Sequence, residues 1–99
     1  MRILLNEAVN EMMIRVINEL VAMRKEVELA DTIGHKVQVV DKHKEVIFKL
    51  FNKLDFLEMQ AIMKFEEGDQ EELIGKMRRF KYHIAIQIED AYRIAEELA

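Results

Sequence analysis

Three residues near the end of this chain, Arg78, Arg79 and His83, are of the types that phosphoryl chemistry uses. An imidazole takes or gives a proton near neutral pH, and a guanidinium holds charge building on a phosphorus-bound oxygen. Spacing decides whether such groups act together. At about 100° per residue, Arg78 and His83 stand roughly 140° apart around a helix and do not aim at a common atom. Arg79 and His83, at i and i+4, share a face that Gln87 and Asp90 continue. The commoner use of such a face is a solvated basic patch.

The run from Arg78 to His83 (an Arg, four residues, a His) resembles the short signature of the HEPN-type helical ribonucleases. The resemblance implies an RNA-cleaving site acting across a dimer. His83 would be its general acid or base, and Arg78 or Arg79 would stabilise the transition-state charge. In that family the pair lies at a helix start, often with a further polar residue beside the Arg. Here the run falls well inside the last expected helix, with Arg79 in the neighbouring position. The enzyme reading is therefore the alternative to a non-enzymatic one.

The other candidates are weaker. His43 falls on an apolar arc with Leu50 and Leu54, and a hydrogen-bonded core histidine is expected there, with ligand binding or pH sensing as the alternative. His35 stands in a loop and could cap a helix end. Asp31 and His35 share i,i+4 spacing, but two ligands do not make a metal site. The Glu-x-x-His pairs of di-iron bundles are missing, and Glu66, Glu67, Asp69, Glu71 and Glu72 read as a solvated acidic turn. With no Cys there is no disulfide and no thiolate chemistry. No metal and no cofactor is expected.

These residues must be positioned by helices. Pro is absent, Gly occurs three times, and helix-favouring residues abound. From Ile3 to Ala30 one face collects Leu5, Val9, Met12, Met13, Val16, Leu20, Met23, Val27 and Ala30. ADTIGHK interrupts this pattern. Helix 2 then starts near Thr32, capped by Asp31 or Thr32, or only at Asp41, and Ile33, Val37, Val40, Lys44, Ile47, Phe51 and Leu54 form its stripe. Asp55, with Glu58 three residues on, reads as a capping box opening a short third helix with Phe56, Leu57, Met59, Ile62, Met63 and Phe65 as its apolar content. Gly68 and Asp69 punctuate the start of a fourth, whose stripe is Leu73, Met77, Phe80, Ile84, Ile88, Ala91, Ala95 and Leu98. The expected fold is all-α. It is a single domain spanning residues 1–99, an antiparallel bundle of about four helices with the two long ones side by side.

The chain has 99 residues and a formal charge of −4, an acidic balance that argues against general nucleic-acid binding. No apolar run reaches the ~20 residues that span a bilayer. Glu7 and Glu11 interrupt any signal-peptide core, so a cytoplasmic protein is expected. Ile86 and Ile94 point away from the main stripe of their helix, and Ile14, Ile17 and Val21 widen that of the first. A domain this small leaves several of them uncovered, which suggests a second contact surface. The first reading is a non-enzymatic helical interaction or regulatory module. Its partner would be a second copy, forming a homodimer, or another helical protein.

Overall fold

The computed structural model describes residues 2–64 and 67–97. Expectations for Phe65, Glu66 and Leu98, and for the side chains of Ile3 and Glu67, lie outside the described residues. Those described form three α-helices: α1 Arg2–Leu29, α2 Ile33–Lys64 and α3 Glu67–Glu97. Helix α2 packs along both others, whereas α1 and α3 touch only sparsely. Cross-helix pairs fix the directions. Lys42 reaches Glu26, Lys81 reaches Asp55 and Tyr92 reaches Asp41, so α2 runs antiparallel to its neighbours and they run parallel to each other. The result is a rod of 51 × 17 × 15 Å.

The all-α expectation holds, but the expected fourth helix does not exist as a separate element. No Gly or Pro lies between Gly34 and Gly68, so nothing stops α2 at Asp55. Asp55 and Glu58, read as a capping box, sit inside α2 and pair with Lys81 and Arg78 of α3. Gly68 and Asp69 fall within the first turn of α3, and no described Gly has positive φ. The packing also differs from expectation. The first and last helices are not the close pair, because the unbroken α2 lies between them and is long enough to cover both.

Helix α2 does begin near Thr32, whose Oγ1 accepts from the backbone N–H of His35 at 3.1 Å, satisfying one of the helix's orphan donors. The segment VQVV (37–40) is helical.

Two buried clusters line the rod. One joins Val16, Leu20, Met23 and Val27 to Val39, Val40, Ile47, Ile84, Ile88 and Ala91. The other joins Leu5, Val9 and Met13 to Leu54, Ala61, Leu73 and Met77. Half-buried Phe51 and Phe80 pack against both and make the core continuous.

Candidate functional site

The positions read as a second contact surface are the ones the packing leaves open. Ile14 is 57% exposed, Ile17 45%, Val21 43%, Ile86 38% and Ile94 48%. Their common place follows from the cross-helix bonds. On α1, Asn10 and Arg24 mark the α3-facing flank, bonded to Lys76 and Gln87. Ile14, Ile17 and Val21 fall within about 80° of those two residues around the helix. On α3, Lys76 and Gln87 mark the flank facing α1; Ile94 and His83 lie within about 40° of them, and Ile86 lies about 80–100° farther round. Ile17, Val21 and Ile94 therefore border the shallow seam between α1 and α3, while Ile14 and Ile86 are exposed farther round their helices. Toward its far end the seam holds a pocket of about 200 Å³ between Arg24, Val27 and Glu28 on one side and Gln87, Asp90, Ala91 and Ile94 on the other.

The same geometry separates the residues of the ribonuclease resemblance. Arg78 turns to the α2 side, where its Nε donates to Glu58 at 2.8 Å. His83 and Arg79 are exposed on the α1 side. The Arg79 guanidinium lies over Gly75, close enough that a Cβ there would stand 3.1 Å from its Nη1. The two arginines thus serve different faces, and only Arg79 shares one with His83.

His43 is buried, 4% exposed, as its apolar arc implied. Its Nδ1 lies 2.6 Å from Glu19 and its Nε2 3.0 Å from Glu26, both on α1. A neutral imidazole carries one N–H, so only the doubly protonated ring donates into both contacts. The carboxylates occupy opposite edges of the ring and do not converge on a point, and no metal-ligand group appears among the described residues. The Glu26 carboxyl is held below its ordinary value of 4.5. The Lys42 hydrogen bond is the main cause, desolvation opposes it, and His43 adds to it.

Lys36 went unnoticed in the sequence. It is buried, and its Nζ donates to the Val27 carbonyl at 2.6 Å, satisfying an acceptor in the last turn of α1. The i, i+4, i+7 spacing of Lys36, Val40 and His43 was the signal available for it. Lys44, expected on the inner stripe, instead sits 5.1 Å over the Tyr92 ring, and Tyr92 hydrogen-bonds to Asp41. Desolvation and the Asp41 bond raise the Tyr92 hydroxyl above its ordinary value of 10.0, with Lys44 pulling the other way. These groups tie the helices together.

A second apolar surface was not anticipated. Because α2 does not turn at Asp55, its helical phase carries Leu54 and Ala61 inward. Phe56, Met59, Ile62 and Met63, expected to pack within a third helix, are exposed instead, Phe56 at 59% and Met63 at 79%. Phe56 borders a cleft of about 410 Å³ between α1 and α2, lined also by Ala8, Glu11, Met12, Asn52, Lys53 and Leu57. Among the described residues no helix is long and apolar enough to cross a membrane. Comparison with family models, curated proteins and solved structures returns no match.

Proposed function

We propose that this chain is a non-enzymatic helical interaction module, working by burying the apolar flanks its three-helix packing leaves uncovered. Its partners are a second copy of itself or another helical protein. The observation that carries this reading is the exposure of Ile14, Ile17, Val21, Ile86 and Ile94 on the two outer helices, with Ile17, Val21 and Ile94 bordering the seam between them. Single exposed aliphatics are ordinary, but several on two neighbouring helices suggest a second contact surface. The polar chemistry supports the same reading, since His43, Glu19, Glu26 and Lys36 spend their hydrogen bonds on joining α1 to α2. The ribonuclease alternative, with Arg78, Arg79 and His83, has less behind it, because Arg78 is committed to Glu58.

Light scattering at high micromolar concentration tests association. The expected species has about twice the 11.7 kDa chain mass. A strict monomer would contradict self-association.

A further inference from the structure

We propose that two copies of this chain pair through the cleft between α1 and α2. This rests on the reading that the chain works by association, and names the face and the occupant.

The first support is charge. The outer surface of the α1–α2 pair carries an excess of carboxylates on one helix and of cations on the other. Glu11, Glu19 and Glu26 lie on α1 with Arg15 among them, and Lys42, Lys49 and Lys53 lie on α2 with Glu45 beside Lys49. Within the chain Glu11 pairs with Arg15, Glu19 with His43, Glu26 with Lys42 and Lys49 with Glu45, which leaves Lys53 as the open charge among them. Two symmetric ways of laying this surface on its copy are available. A two-fold axis across the helices stacks α1 on α1 and α2 on α2, like charge on like. A two-fold axis parallel to the helices stacks α1 of each copy on α2 of the other, acid on base, so the pattern selects the second. Because the axis is parallel, residues keep their level along the rod. Glu11 and Lys53 line the same cleft from opposite helices, so each meets the other across the interface. Lys53 has no partner among the described residues, and Arg15 holds Glu11 through Oε1 at 2.9 Å.

The second support is shape. The same rotation brings Phe56 of each copy over Ala8 and Met12 of the other, a large exposed ring facing a small residue and a flexible one. An isologous contact requires that a surface carry both the knob and the socket, and this one does.

The test is sedimentation equilibrium of the full chain, Glu11→Lys, Lys53→Glu, an equimolar mixture of those two variants, and Ile17→Lys. Circular dichroism checks that each variant stays helical. The wild type is expected as a dimer, and each single charge reversal should weaken it about tenfold or more, because it sets like charges together twice per interface. The mixture should regain wild-type strength, because a heterodimer of the two restores both opposite pairs. A wild-type dimer indifferent to both reversals, or a mixture that fails to recover, overturns the cleft. A dimer broken by Ile17→Lys but not by Glu11→Lys moves the pairing to the seam, overturning the cleft while association stands. A wild type that stays at 11.7 kDa overturns self-association itself.

Discussion

His43 shows how polar groups are used in this chain. Its ring sits in the core with a carboxylate against each nitrogen, and both carboxylates come from α1. Buried polar atoms cost stability unless partnered, and no described buried side-chain atom is left without a partner. The burial of His43 was legible from its place among Leu50 and Leu54. Its partners were not, because Glu19 and Glu26 lie seventeen or more positions away and meet it only once two helices pack.

The linkage at Glu26 has a definite sign. Folding lowers this carboxyl from 4.5, first through Lys42. Its contribution is therefore present above the unfolded value and fades as pH falls through the folded one. Urea unfolding at about pH 6 and about pH 3 should show a larger loss in the wild type than in Glu26→Gln, which cannot titrate. Equal losses would mean that Glu26 is not the linked group.

At the scale of elements, the apolar periodicity read α1 and α3 well. Leu5, Val9, Met13, Val16, Leu20, Met23 and Val27 are buried on α1, as are Leu73, Met77, Ile84, Ile88, Ala91 and Ala95 on α3. Helix α2 was misread because Asp55 and Glu58 have the residue types and spacing of a cap. A cap and a pair of inter-helix ion-pair acceptors look alike until Arg78 and Lys81 are in view. Because α2 continues past Asp55, Phe56, Met59, Ile62 and Met63 lie on the surface rather than inside a bundle. A proline substitution separates the two descriptions. At the start of a helix proline costs little, but in the interior it removes a hydrogen bond and clashes with the preceding turn. Asp55→Pro should therefore cost about 3 kcal/mol or more in chemical unfolding. A loss below about 0.5 kcal/mol would restore the helix boundary at Asp55.

At the scale of the molecule, three helices held mainly through the middle one make a thin rod. Its radius of gyration is 15.8 Å, against about 12.6 Å for a compact domain of this length. A rod has much side and little interior, so apolar flanks remain on two sides, one at the α1–α3 seam and one at the α1–α2 cleft. The exposure of Ile14, Ile17, Val21, Ile86 and Ile94 was legible in the sequence because they fall outside the narrow apolar stripe of their helices. The cleft was not, because it depends on α2 continuing past Asp55. The proposed lateral association would answer both facts: it would thicken the rod, cover a flank and leave the length alone.

Small-angle X-ray scattering of the wild-type chain at high micromolar concentration tests that claim most directly. Forward scattering should give about twice the 11.7 kDa chain mass, with a thickened cross-section and a length still near 51 Å. A single-chain mass with the 17 × 15 Å cross-section of the lone rod, or a particle of doubled length, would contradict it.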